Sequence, residues 1–354
     1  MELIDGILTN CHRQHGQLDA EGSEAPHRMR MLKSRTTTYG RLKEHELWWR
    51  DHQPWLKERG YQLRPRYHPD WKPSWEVENV DRFRSEDAIS TLYGNLLDAT
   101  RVSDGTVVML KRISDETHPY ELEVLDVPEK SHLHVLVMPL LRPFNDPHFE
   151  TAGEAVDYFQ QVFEGMQFIH QCHVAHRDCM DFNIMMDPAP MYPNLYHPQH
   201  TLLTRDRKHL AKHYSRTRRP TKYYFIDFGL SGIYNPADGP TIDRPTPHDV
   251  YPTDIYYIGN MICETFLQKC TGLEFMKPLV DDMVQDDPKK RLKIDEVLRR
   301  FAEIRRPLLW WRLRAHLVEP GESGIRKAYR ATKHVFRTIR YIVTLHSAIP
   351  NAPK

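Results

Sequence analysis

No run of about 18 consecutive apolar residues occurs anywhere in the 354-residue chain, so no segment qualifies as a membrane-spanning helix. The opening stretch, "MELIDGILTNCHRQHGQ", lacks the basic and apolar zones of a secretory signal. The five cysteines are odd in number and form no C-x-x-C pair, which argues against a disulfide framework or a zinc knuckle. A net charge of only +1 gives no global field to recruit nucleic acid. Together these absences predict a chain of a reducing compartment, cytoplasmic or nuclear, with no nucleic acid as partner.

What is present is unevenly spread. Residues 188–222 carry eight Lys or Arg against one acid, and residues 305–354 carry eleven against two. Five of the seven tryptophans (Trp48, Trp49, Trp55, Trp71 and Trp75) fall in one stretch, where they read as anchors pinning an extension onto a domain surface rather than as a base-stacking platform. The first 43 residues are mainly polar and without periodicity, and read as an arm.

Residues 96–113, "LLDATRVSDGTVVMLKRI", read as a hairpin with a Gly-dependent turn. Alternation places Val107, Met109 and Lys111 on one face of its second strand. A further strand, "LHVLVMPLL", ends at Pro139. From residue 152 the period changes: Val156, Phe159, Phe163, Met166 and Ile169 recur three or four apart, marking an amphipathic helix. Helices are also expected at 254–268, 274–285 and 293–304. This order predicts an α+β, two-lobed fold, a small β-rich unit followed by a larger helical one, with a ligand cleft.

The chemistry concentrates in "VAHRDCMDFNIMMD", residues 174–187. An Asp followed five positions later by an Asn on one tight loop can take a proton from an attacking hydroxyl while the Asn carbonyl oxygen ligates Mg²⁺. Downstream, "YYFIDFGLS" delivers Asp227 from an aromatic strand into a Phe-Gly turn, and upstream Lys111 lies on a strand. On these motifs residues 85–304 resemble the protein kinase family, and their wording is similar to that of the kinase-like proteins expanded in mushroom-forming fungi.

The resemblance implies ATP and Mg²⁺ as cofactors, Asp178 as base, Lys111 as phosphate contact, and Asn183 and Asp227 as metal ligands. It implies Met138 to Leu141, with Leu140 between them, as a hinge beside adenine, with Met109 above the ring and Gly94 as the last glycine of a phosphate lid. His176, Arg177, Gly229, Asp254 and Arg291 take supporting roles, and Glu121 is the candidate ion-pair partner of Lys111.

Departures from the pattern leave two readings open. Residues 85–100 offer only Gly94 for the lid, Met180 and Phe182 stand where a cation follows the base, and Pro119 and Pro128 leave a truncated helix before the second strand pair. The segment Leu230 to Thr253 is short and contains no Glu; its hydroxyls (Ser231, Thr241, Thr246, Thr253) are possible phosphorylation sites. The readings are a weakly active kinase acting on protein Ser or Thr hydroxyls, and a pseudokinase serving as a binding or scaffolding module; a small-molecule kinase is a third, remote one.

The expected division is 1–43 arm, 44–138 extension and β-rich lobe, 139–304 helical lobe with the basic insert 188–222, and 305–354 tail. The insert is expected to be a solvated loop or a dock for an acidic partner. The tail reads as a basic amphipathic helix that packs on the helical lobe, meets a protein, or lies on a membrane.

Overall fold

The computed structural model describes residues 41–79, 81–114, 121, 133–234, 247–318 and 324–350. The N-terminal arm, all of residues 115–132 except Glu121, and residues 235–246, with Thr241 and Thr246, lie outside them. The chain is a mixed α+β protein with a β-sheet N-terminal part and a helical C-terminal part. Its described residues group into two compact units. One comprises 41–114, 133–140 and 194–211, and the other comprises 121, 141–193 and 212–350.

The sheet unit opens with two short helices, α1 (Glu44–Asp51) and α2 (Gln53–Glu58), followed by strand β1 (Tyr61–Leu63) and the one-turn helix α3 (Ser74–Val77). Strands β2 (Leu96–Arg101), β3 (Val107–Ser114) and β4 (Leu133–Pro139) complete an antiparallel sheet in the order β1-β2-β3-β4. Alternation decides which face is buried. Leu97, Ala99, Val108 and Leu110 point to one side and close a core with Trp49, Leu56, Tyr61, Leu63 and Tyr67 of the Trp-rich extension. The tryptophans thus serve packing: Trp49 is fully buried and its indole N–H donates to the Gly94 carbonyl at 2.9 Å. Half-buried Trp71 donates to Asp87 at 2.9 Å, satisfying the polar edge of its indole.

The helical unit begins with strand β5 (Arg142–Pro143) and is built around α4 (Ala152–Gln171). Thr151 caps α4 by accepting from the Glu154 N–H at 3.2 Å. Val156, Phe159, Phe163, Met166 and Ile169 are all buried, as their spacing requires. Phe144, Phe149, Tyr158, Phe159, Phe266 and Phe301 stack and tilt around this helix with centroids 4.6–6.4 Å apart.

Three strand pairs follow from the loop after α4. β6 (Val174–Ala175) pairs with β9 (Gly232–Ile233), and β7 (Ile184–Met186) pairs with both β5 and β8 (Tyr223–Phe225). Helices α5 (Pro247–Ile262), α6 (Lys277–Met283), α7 (Ile294–Arg305), α8 (Trp310–Leu313) and α9 (Gly324–Val343) complete the unit. α5 begins seven residues before the expected start, carries Pro252 inside it, and runs into a π-turn at Cys263–Leu267. Among the described residues no helix is long and apolar enough to cross a membrane.

Two expectations about domain organisation need correction. The basic insert does not belong wholly to the helical half, because residues 194–211 group with the sheet unit. Nor is it wholly a solvated loop: Arg205, Lys208, Lys212, Arg218 and Arg219 are exposed, but other residues are held. In the sheet unit His197 meets Glu86 at 3.3 Å, Gln199 donates to Asp98 at 3.2 Å, and Arg207 donates to the carbonyls of Phe83 and Ser85. In the helical unit Arg216 is buried, lies 4.0 Å over the Phe149 ring and donates to the Phe144 carbonyl and the Tyr223 hydroxyl. The segment after residue 305 is likewise part of the helical unit: the Ala152 N–H donates to the Ala315 carbonyl and the Leu317 N–H to that of Glu150.

Candidate active site

The loop after α4 is set by one buried carboxylate. Asp254, fully buried on α5, accepts the backbone N–H of His176 at 2.9 Å and of Arg177 at 2.6 Å, and meets His170 Nε2 at 3.0 Å and Cys179 Sγ at 3.6 Å. Such a network is needed because Arg177 has φ +66°, a left-handed conformation that costs about 1–3 kcal/mol in a residue with a β-carbon. With its amide held on one side, Arg177 turns the chain so that Asp178 follows half-exposed.

His176 ties this loop to the strand that delivers Asp227. Its Nδ1 accepts from the Asp178 N–H at 3.3 Å, so the proton sits on Nε2, which donates to the Ile226 carbonyl at 3.1 Å. Burial pushes the imidazole's pKa down, against the opposing pull of Asp254, the Ile226 carbonyl, Asp178 and Asp227, so the ring is neutral. The Phe228 ring packs 4.9 Å from it. Burial pushes the Cys179 thiol up, so this cysteine is a packing residue rather than a nucleophile.

Asn183, only 3% exposed, closes the loop on itself. Its side-chain N–H₂ donates to the Asp178 carbonyl at 2.9 Å and to Asp178 Oδ2 at 2.7 Å. The donor half of the amide is thereby fixed on Asp178, and the oxygen half is the part suited to a cation. The Ile226 N–H donates to the Asn183 carbonyl at 2.9 Å, and β7 pairs with β8 from Ile184↔Phe225 onward. Asp227 therefore follows directly on a strand registered against the residue after Asn183. It has φ +63° and is exposed, and Gly229 lies in the single 3₁₀ turn Phe228–Leu230 beyond it. Two non-glycine residues in the left-handed region within one cluster is a pattern typical of functional sites.

One contributor was missed for its role: Ser231, buried, donates its hydroxyl to the His176 carbonyl at 3.1 Å and so supports the loop from the far strand. Its burial also removes it from the set of accessible phosphorylation sites. A Ser two residues beyond the Phe-Gly turn was the available signal. Arg291, expected as a support, donates to the carbonyls of Gln285 at 2.7 Å and Pro252 at 3.3 Å and lies over Tyr256. Met180, at the start of the short 3₁₀ helix Asp181–Asn183, and Phe182 within it are exposed apolar side chains.

The sheet unit holds the other expected residues. Lys111 is buried at 6% exposure on β3, opposite Leu96 and Leu136, and Met109 lies opposite Asp98 and Met138. The chain leaves this unit after Leu140, so Met138 and Leu140 end it and Leu141 begins the helical one. Glu121 is buried in the helical unit.

Gly94 departs from expectation. Among the described residues no strand-turn-strand lid precedes β2; the earlier strand that pairs with β2 is β1, and residues 64–95 separate them in sequence. Gly94 lies against His45, where an added Cβ would stand 3.0 Å from His45 Cβ, and its carbonyl is taken by Trp49. A phosphate lid requires open backbone N–H groups, and this glycine is instead packed against α1.

No family model matches the chain. Among solved structures it is similar to the crystal structure of the Rad53 kinase domain and SCD2, with 15% identity over 61% of this chain and 88% of that one, at a TM-score of 0.39. It is also similar to the crystal structure of the Rad53 kinase domain and SCD2 in complex with AMPPNP, with 15% identity over 59% and 86% and a TM-score of 0.37.

Proposed function

We propose that the chain is a protein-kinase-like phosphotransferase that moves the terminal phosphoryl group of Mg-ATP to a Ser or Thr hydroxyl of a protein. The observation that carries this reading is the Asp178–Asn183 pair, in which the amide holds one carboxylate oxygen at 2.7 Å and leaves Oδ1 to receive the hydroxyl proton. The new O–P bond forms at the hydroxyl as the bond to ADP breaks, and Asp178 takes the proton. The Asn183 side-chain oxygen Oδ1 and the Asp227 carboxylate are hard oxygen donors of the kind Mg²⁺ selects, and they fit that ion. When bound, the ion would offset charge on the transferring phosphate. Lys111 is the proposed phosphate contact. The remaining residues keep the base in place: Asp254 and Ser231 hold the loop, and neutral His176 bridges it to Ile226.

A second reading, a pseudokinase that binds without transferring, is favoured by Gly94, whose carbonyl and Cα surroundings are taken up by Trp49 and His45. The absence of a cation at Met180 and Phe182 points the same way.

Thermal unfolding with ATP, with Mg²⁺ and with both separates the readings, combined with transfer of labelled phosphate to a mixed protein substrate. A ligand at about 100 times its Kd stabilises by about 2.7 kcal/mol, a shift of a few degrees. The expected result is a shift that needs both components and disappears in Asp227→Ala. Asp178→Asn should keep the shift and lower transfer by about 10²–10⁴. A shift without transfer moves the protein to the second reading, and no shift under any condition overturns nucleotide binding altogether.

A further inference from the structure

Helix α9 is docked the wrong way round for a soluble amphipathic helix. Such a helix buries its apolar stripe and leaves its polar face in water. Here the polar side is turned onto the helical unit. Arg337 pairs with Glu150, the Tyr341 hydroxyl bonds that of Ser215 at 2.5 Å, and the His334 ring stacks 5.0 Å from His316. Beyond the helix, Arg314 donates to the His346 carbonyl at 2.5 Å, and the Ala348 carbonyl sits where any β-carbon on Gly153 would be.

The apolar stripe faces solvent. Val335, Phe336, Ile339, Ile342 and Val343 recur at helical spacing, and Phe336 and Val343 are 71% and 75% exposed. The helix contains six Lys or Arg and no acid, and exposed Lys333 and Arg340 flank the stripe. Leu309, Trp310 and Trp311 are exposed as well, on the segment that the Arg314–His346 bond ties to the far end of the helix. Indole rings favour the boundary between water and lipid.

We propose that this face of α9 is a peripheral docking surface for an anionic lipid bilayer, with the apolar stripe entering the interface and Lys333 and Arg340 meeting the lipid charge. Charge complementarity selects an anionic partner. The docked polar side selects a flat one, because a protein groove that wraps an amphipathic helix would have to displace the contacts to Glu150 and Ser215. This surface is independent of phosphoryl transfer.

The test is co-sedimentation of the full chain with phosphatidylcholine vesicles, with and without phosphatidylserine. Binding is expected only with phosphatidylserine, falling about fivefold for each of Lys333→Gln and Arg340→Gln and about tenfold for Phe336→Ser. These side chains point into solvent, and unchanged melting of each variant shows that the fold is kept. A blue shift of tryptophan emission on adding phosphatidylserine vesicles, reduced in Trp310→Phe/Trp311→Phe, gives a second readout. Absence of binding to phosphatidylserine vesicles overturns the proposal, as does binding indifferent to Phe336→Ser. If sedimentation velocity without vesicles instead finds a dimer that Phe336→Ser dissolves, and vesicles do not bind, the face belongs to a second copy and the proposal fails.

Discussion

Glu46 in the sheet unit and Asp254 in the helical unit are both carboxylates with 0% exposure, yet they are stabilised by different partners. Glu46 meets a cation: Arg66 approaches it at 2.8 and 2.9 Å, with Tyr67 at 3.0 Å and the Lys43 N–H at 2.9 Å completing its shell. Among the described residues Asp254 meets no guanidinium; its partners include two backbone amides, an imidazole and a thiol. A carboxylate paired with a side chain fastens two segments and can in principle be exchanged for something apolar. One that collects backbone amides dictates the path of the chain, and nothing apolar can replace it.

The largest expected effect breaks the first of these. Glu46→Ala leaves Arg66 buried beside no charge and should lower stability by about 3–5 kcal/mol in urea unfolding. Glu46→Met combined with Arg66→Met should recover most of that loss, since the desolvation of both ions disappears together. A double variant as unstable as Glu46→Ala would show that the Tyr67 and Lys43 bonds, rather than the ion pair, hold this corner.

Asp254→Ala should cost about 2–4 kcal/mol, from two orphaned amides and the unsupported conformation of Arg177. No compensating side-chain change elsewhere should restore it. Compared where both variants remain folded, Asp254→Ala should also lower any phosphoryl transfer steeply, whereas Glu46→Ala should leave it near the parent rate. Equal effects on transfer would mean that the loop does not depend on Asp254 for its geometry.

How far each region could be read in advance follows from the range of its contacts. The spacing of Asp178 and Asn183 is local, and the bond between them forms within one turn of chain. The apolar period of α4 is local too, and its five expected residues are all buried. The sheet unit is different. β1 pairs with β2 across residues 64–95, and Gly94 is claimed by Trp49 from forty-five positions upstream. Neither partner carries a local signal. The insert was misjudged for the same reason, because Arg216 resembles any surface arginine until Phe149 and Tyr223 close over it. In α9 the amphipathic pattern was legible, but which face would dock depended on Glu150 and Ser215, far away in sequence.

A smaller effect probes that anchor. Trp49→Phe keeps most of the packing but leaves the Gly94 carbonyl without its indole donor, and should cost about 1–2 kcal/mol. If residues 64–95 are held mainly by this contact, amide exchange around Gly94 should quicken while the Asp178 loop stays protected. Equal quickening at both places would join what the comparison separates.

The smallest effect uses pH to set the two units apart. His176 is neutral because burial lowers its pKa below 6.5, so the unfolded chain binds a proton there that the folded chain refuses, and stability declines as pH falls below about 6.5. Burial alone would raise the Glu46 pKa, but the Arg66 bond and charge overcome it and carry the pKa below 4.5; its contribution is lost only as pH falls beneath that value. His334 in the helical unit, pushed down to about 4 by burial, adds to the decline, whereas the sheet unit has His200 lowered by burial and Arg207, so acid should loosen the helical unit first. Asp157 on α4 opposes this trend, because burial pushes its pKa up to about 7, and the stability it contributes is complete below 3.8 and lost as pH rises through 7. Asp157→Asn removes that part of the opposing slope, and Glu150, whose pKa burial also raises, keeps the remainder. In this variant, helical circular dichroism should report stability falling as pH drops from 6.5 towards 4.5. Tryptophan emission, five of whose seven sources lie in the sheet unit, should barely change over the same range. Coincident changes by both probes would mean that the units unfold together, and that the difference between their carboxylates sets local geometry without separating their stabilities.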